Sequence, residues 1–168
     1  TVEEGLENAG FTVTTKDWMT SYEQVRQEAF KEFVAGIKAK AKEMGVPAIM
    51  LGMGAVMPEP EYDLPLNGEG NTAVYVLGRI SGEGSDRNPA PGDFELTKSE
   101  IRDILAARAK YENFLLVLNV GGVVDLSPVM DVENILLLSQ TGMTIGDSLA
   151  DVILGKAYPS GKLASTWA

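Results

Sequence analysis

The chain has 168 residues, 45% of them hydrophobic and 23% charged, which is ordinary usage for one globular domain and excludes a disordered chain. Its 24 acidic and 14 basic side chains leave a net charge of −10, so nucleic acid and anionic membrane, which both need a cationic face, are disfavoured partners. Cysteine and histidine are absent, which excludes disulfide frameworks, the usual zinc sites and triads built on either residue, and leaves acid–base chemistry to carboxylates, lysines or tyrosines.

In chain order, "TVEE" reads as a capping box between Thr1 and Glu4, opening a helix with Val2, Leu6 and Ala9 on one face and Gly10 at its end. "FTVTT" (11–15) alternates like a short strand. Asp17 opens a long helix whose stripe of Trp18, Tyr22, Val25, Ala29, Phe33 and Ile37 predicts core packing. Residues 45–70 are rich in proline and glycine and read as connection, with one short strand near "AIML". The acidic cluster Glu59, Glu61 and Asp63 within them reads as a solvated surface loop rather than a cation site.

From residue 71 strands and helices alternate. "TAVYVLG" is a strand and "GEGSDRNPAPGDFEL" a loop. A second capping box, Thr97 with Glu100, opens a helix to about Tyr111. "NFLLVLNVGG" and "ENILLLSQTG" are further apolar strands. A helix marked by Ile145, Leu149, Val152 and Ile153 stops at Gly155, and "YPSGKLASTW" reads as a final strand. This alternation predicts an α/β layered domain with a mostly parallel sheet. No apolar run reaches the ~20 residues of a membrane-spanning helix and no signal peptide is visible, which leans toward a cytoplasmic setting.

Three apolar runs end in glycine, at Gly78, Gly121 and Gly142. Ligands of open α/β sheets bind beyond the carboxyl ends of the strands, so "GRISGEGSDR" (78–87) stands where chemistry is expected. Glu83 lies there between two glycines, free of bulky neighbours, as a proton-transfer group requires. Local pattern alone puts a solvated glutamate in a glycine turn ahead of that role. A phosphate loop is rejected: the glycine spacing is not met, no Gly-Lys-Ser/Thr follows, and Glu83 and Asp86 repel an anion. Asp125 and Asp131, after the second strand, read as helix caps ahead of the alternative of lining a pocket.

"GRISGEGSDR", "PGDFEL", "VLNVGG" and "SLADVILGKAYPSGKL", in that order, resemble the C-terminal-type α/β sandwich domain of glycoside hydrolase family 3. That family includes β-glucosidases, β-xylosidases and related exo-acting enzymes. The resemblance covers about residues 72–166, and "TVEEGLENAGFTV" resembles the segment before them. It implies a three-layer α/β/α sandwich with a mostly parallel sheet, truncated at its first strand, with residues 1–168 as a single domain. The resemblance also implies a catalytic (β/α)8 barrel carrying an aspartate nucleophile, which is expected to be absent from these residues.

By that resemblance the local odds reverse, and Glu83 takes the place of the general acid/base in retaining hydrolysis of β-glycosides, most nearly of a β-glucosidase. This chain alone is expected to be inactive. Arg79, Ser81, Asp86 and Arg87 fall in the same motif as substrate-binding or loop-fixing residues. For Arg79 the alternatives are neutralising a neighbouring carboxylate or bonding a sugar hydroxyl; for Asp86 and Arg87, loop-fixing is preferred. Asn119 is expected to tie adjacent loops, and Lys162 to serve a turn. The segment "GMTIG" carries Thr144 where many members have glutamate, so that glutamate's contacts do not carry over. No cofactor and no metal is implied. The implied partners are a β-linked glucoside or oligosaccharide and the barrel. The rival reading is a non-catalytic carbohydrate-binding or barrel-positioning module.

Overall fold

Thr1 and Glu4 do close a capping box. The Thr1 hydroxyl accepts from Glu4 N–H at 3.1 Å while the Glu4 carboxylate holds the amino terminus at 2.7 Å, starting α1 (Val2–Asn8). The computed structural model describes residues 1–80 and 86–167. Helix α2 (Lys16–Met44) ends on Gly45, whose positive φ of 68° is the left-handed stop that glycine adopts without strain. A short helix α3 (Ala48–Gly52) follows, then a strap leading to β1 (Thr72–Arg79). Beyond β1 come α4 (Lys98–Lys110), β2 (Asn113–Val120), a single 3-10 turn (Ser127–Val129), β3 (Ile135–Leu137) and α5 (Ile145–Ile153). No helix among the described residues is long and apolar enough to cross a membrane.

The three strands lie in the order β1-β2-β3 and all run parallel, with Thr72 beside Asn113, Arg79 beside Val120 and Leu116 beside Ile135. The α/β class and parallel sheet expected from the alternating runs are therefore present. Period-2 alternation sends Leu77 of β1 and Phe114, Leu116, Leu118 and Val120 of β2 to one face, where Ile104 and Ala107 of α4 close the core. Val117, on the opposite face of the central strand, is also fully buried, as a parallel strand covered on both sides should be. Toward the edge that face opens, leaving Val76 and Ile80 exposed. Helix α4 begins at the second capping box, with Thr97 accepting from Glu100 N–H and Glu100 reaching back to Thr97 N–H at 2.8 Å.

Helices α1 and α5 cross backbone to backbone. A Cβ on Gly5 would stand 2.0 Å from the Gly146 carbonyl carbon, and one on Gly146 would stand 1.9 Å from the Thr1 carbonyl oxygen. Gly5→Ala or Gly146→Ala is expected to destabilise the fold by about 1–3 kcal/mol, toward the upper end because backbone cannot step aside as a side chain can. Both changes force the same separation, so the double variant should lose no more than the worse single one in urea unfolding. Additive losses would show that the two glycines do not share a contact.

Four expectations change. Residues 11–15 form no strand: Phe11, Thr12 and Thr14 are exposed, and Thr14 Oγ1 bonds Glu69 N and O at 3.0 Å each instead of joining a ladder. "AIML" is the helix α3 and not a strand, an ambiguity intrinsic to a short apolar run. Residues 158–167 form no strand; Tyr158 and Leu163 lie exposed, with no strand among the described residues pairing with them. The α2 stripe is only half-buried, because α2 packs on α3 and reaches the sheet region through an aromatic trio rather than lying across the core. In that trio Trp18 stacks on Tyr22 at 5.2 Å, both meet Tyr62 edge-on, and the Tyr62 hydroxyl bonds that of Tyr75 in β1 at 3.0 Å.

Candidate functional site

Arg79, the last residue of β1, points into the protein rather than out of it. Its side chain and that of Glu100 are each 4% exposed, and the two form a fork-to-fork pair at 2.7 and 2.6 Å. Nε donates to the Asp93 carbonyl at 3.0 Å, and the remaining N–H groups go to the carbonyls of Gly78 and Glu95. All five guanidinium donors are thus engaged within the chain. The Arg79 carbonyl in turn accepts from Gly121 N–H at 3.2 Å and Gln140 Nε2 at 3.0 Å, tying the ends of β1 and β2 to the segment after β3.

Arg87 stands at the other end of the same loop and turns to the same place. Nε donates to Asp93 Oδ1 at 2.7 Å, Nη1 to the Val123 carbonyl at 2.5 Å, and Nη2 to the Asp93 carbonyl. Asp93 Oδ2 also accepts from Asn88 N–H at 2.7 Å. Partial burial raises the Asp93 pKa, but the Asn88 N–H and the Arg87 guanidinium outweigh it and hold the carboxyl below its usual range. Asp86 is exposed and does not join this cluster; it lines a cavity of about 370 Å³ with Phe33, Ile37 and Arg87. Ser81 and Glu83 lie outside the described residues.

A second cleft, of about 260 Å³, opens beside the carboxyl end of the sheet. Gly78, Arg79 and Ile80 after β1, Asn119 from β2 and Gln140 form its floor; Tyr22 and Arg26 of α2 and Glu59 of the strap form its wall. Asn119 stands at the end of β2, and its Oδ1 is buried with no partner among the described residues. Lys162 is exposed.

The acidic strap is not a solvated loop throughout. Glu61 accepts from Lys98 N–H and Ser99 N–H at 2.9 Å each, capping α4, and Asp63 pairs with Arg102 at 3.0 Å. Glu59 has a side chain only 10% exposed; Tyr22 donates its hydroxyl to it, and Arg26 Nε stands 3.9 Å away. Its backbone is fixed against Gly92, where a Cβ would fall 2.3 Å from the Glu59 carbonyl oxygen and where φ is +84°. Asp125 accepts from Ser127 N–H at 2.9 Å, a turn-forming cap at the 3-10 turn, while Asp131 is exposed. No group of three acidic side chains among the described residues is arranged to hold a metal.

Burial pushes the Glu59 carboxyl up to about 7 from its ordinary 4.5, with Glu100 adding to the rise and Arg79 opposing it. The folded-state value is the higher one, so the unfolded chain releases this proton first as pH rises. Stability from this group is present below about 4.5, falls through about 7 and is level beyond, a change of up to about 3 kcal/mol. Glu59→Gln keeps the size and removes the titration. Wild-type stability in urea should therefore fall more steeply than the variant's between about pH 5 and 7.5. Parallel curves would show that Glu59 is solvated.

The sequence marks Glu59 and "PGDFEL" but gives neither Glu59 nor Asp93 a place at the site, and it marks Glu100 only as a cap. The available signal is an arginine ending an apolar strand, which needs a carboxylate partner if it is buried. Which carboxylate required the fold.

The profile of the glycosyl hydrolase family 3 C-terminal domain matches residues 7–168. The chain belongs to that family. Curated relatives include β-glucosidase A of Butyrivibrio fibrisolvens, 32% identical over 123 residues, and a β-glucosidase of Ruminococcus albus, 32% identical over 98 residues. These alignments cover 58% and 57% of this chain but only 15% and 10% of the relatives' lengths. Among solved structures, β-glucosidase 3B from Thermotoga neapolitana in complex with glycerol superposes with a TM-score of 0.64 at 29% identity, covering 99% of this chain and 23% of that one. The same enzyme in complex with α-D-glucose matches 58% of this chain and 14% of its own at 39% identity, with a TM-score of 0.55. This family 3 domain thus corresponds to less than a quarter of such a β-glucosidase.

Proposed function

We propose that this domain is the acid/base-bearing part of a retaining exo-acting β-glycosidase, of β-glucosidase type, with Glu83 as the general acid/base. The observation that carries the reading is the family match over residues 7–168, in which "SGEGSDR" is intact and follows the carboxyl end of β1. The β-glucosidase names of the relatives support glucosides as the substrate class. The whole active protein includes a (β/α)8 barrel domain elsewhere in its chain, and residues 1–168 act as a single domain beside it.

In the mechanism, an aspartate of the barrel attacks the anomeric carbon while protonated Glu83 gives its proton to the departing glycosidic oxygen. Ionised Glu83 then takes a proton from the water that attacks the glycosyl-enzyme bond, releasing the sugar with its configuration retained. The chemistry calls for carboxyl groups ~5–5.5 Å apart, and the neighbouring carboxylate with partial desolvation keeps the acid protonated at the start. Arg79 and Arg87 support the reading as loop-fixing residues, since their donors engage carbonyls and carboxylates of the domain itself. The test is the product formed by Glu83→Ala in the full-length protein supplied with an activated aryl β-glucoside and azide. β-Glucosyl azide is expected, because azide needs no base to attack the intermediate. Formation of α-glucosyl azide, or of glucose alone at the wild-type rate, contradicts the assignment.

A further inference from the structure

The ends of the loop that bears Glu83 converge on a single residue. Arg79 immediately precedes the loop's first exposed position, Ile80, and Arg87 follows Asp86 at its end. The Asp93 carbonyl oxygen accepts from Arg79 Nε at 3.0 Å and also from Arg87 Nη2. The Asp93 carboxylate then holds Arg87 Nε at 2.7 Å and Asn88 N–H at 2.7 Å. Arg79 is anchored from behind by Glu100, and Arg87 is anchored sideways by the Val123 carbonyl at 2.5 Å.

Two arginines that flank residues 81–85 in sequence thus meet at one acceptor residue, which fixes the chain on either side of them. We propose that Asp93 is a positioning residue for catalysis, setting the separation of the two ends of the Arg79–Arg87 segment and thereby the reach of the proton donor it carries. This rests on the reading of Glu83 as the acid/base. Asp93 acts through Arg87 and Asn88 and touches no substrate. An amide in its place turns one acceptor into a donor facing a donor: Asp93→Asn sets Nδ2–H against Asn88 N–H or Arg87 Nε–H, whichever oxygen it replaces.

The test uses the full-length protein with Asp93→Asn, Asp93→Ala, Arg87→Lys and Glu83→Ala. Each is assayed on a series of aryl β-glucosides with leaving groups of graded acidity and on an unactivated disaccharide. A displaced proton donor matters in proportion to how much the leaving group needs a proton. The Asp93 variants are therefore expected to lose roughly 10–100-fold more on the disaccharide than on the most activated aryl glycoside. The basic limb of their kcat/KM profile against pH should move as well. Arg87→Lys, whose single ammonium cannot span the Asp93 carboxylate, its carbonyl and Val123, should show the same pattern, and it carries the test if Asp93→Ala fails to fold. Equal loss on every substrate, or no loss, overturns the proposal, because a merely structural role lowers all rates together. If Glu83→Ala itself shows no dependence on the leaving group, the acid/base reading falls and takes this one with it. Dependence in Glu83→Ala with none in the Asp93 variants sinks the positioning role alone.

Discussion

Glu83→Ala in the full-length protein is expected to slow hydrolysis of an unactivated β-linked disaccharide by about 10²–10⁴-fold, the usual contribution of a positioned acid or base. An aryl glycoside whose leaving group departs without a proton should form the glycosyl-enzyme at close to the normal rate and then stall. Its steady state would show a burst followed by slow turnover, with a low KM, because the intermediate accumulates. The basic limb of the pH profile should flatten for the activated substrate, since the group that must start protonated is gone. Unchanged disaccharide turnover would mean that another carboxyl supplies the proton. Among the described residues, Glu59 is a carboxyl in the neighbouring cleft that burial pushes up to about 7, which makes Glu59→Gln the informative companion variant.

The second large effect concerns stability. Glu100 holds Arg79 with both oxygens in a place where each side chain is 4% exposed, and it also accepts the Thr97 N–H that starts α4. Removing it leaves a guanidinium buried without its counter-charge. Breaking such a pair from one side costs about 3–5 kcal/mol. At about 2–4 °C per kcal/mol for a domain of this size, Glu100→Ala should lower Tm by roughly 6–20 °C. Glu100→Gln keeps the shape and one acceptor and should fall between the two. Because Arg79 also anchors the carbonyls of Gly78, Asp93 and Glu95, the loss should spread to the end of β1 and show as faster amide exchange there. A Glu100→Ala protein within about 1 kcal/mol of wild type would mean that solvent reaches the arginine and screens it.

Much of this domain was legible before any coordinates. The capping boxes at Thr1–Glu4 and Thr97–Glu100 are reciprocal bonds between residues three apart, so spacing alone reveals them. The strands at 72–79 and 113–120 are apolar runs; the central one is covered on both faces, as such a run suggests, while Val76 of the edge strand stays exposed. "AIML" is too short a run to tell helix from strand, whereas the expected strands at 11–15 and 158–167 failed for one reason. A strand exists only if a neighbour is there to accept its ladder, and nothing local records whether one is. The half-burial of the Phe33 and Ile37 stripe has the same origin: periodicity shows which face of α2 is apolar, not what comes to cover it.

The candidate site divides along the same line. Composition removed histidine and cysteine chemistry, and the ordered motifs identified the family and singled out Glu83. Only the tertiary structure decided that Arg79 turns inward to Glu100, 21 residues away, that Arg87 meets it at Asp93, and that Glu59 is buried against Tyr22, 37 residues away. The physical reason is range. A cap or a buried strand is determined by groups within a few bonds of each other along the chain. The partner of a buried charge is determined by which surfaces the whole fold removes from water.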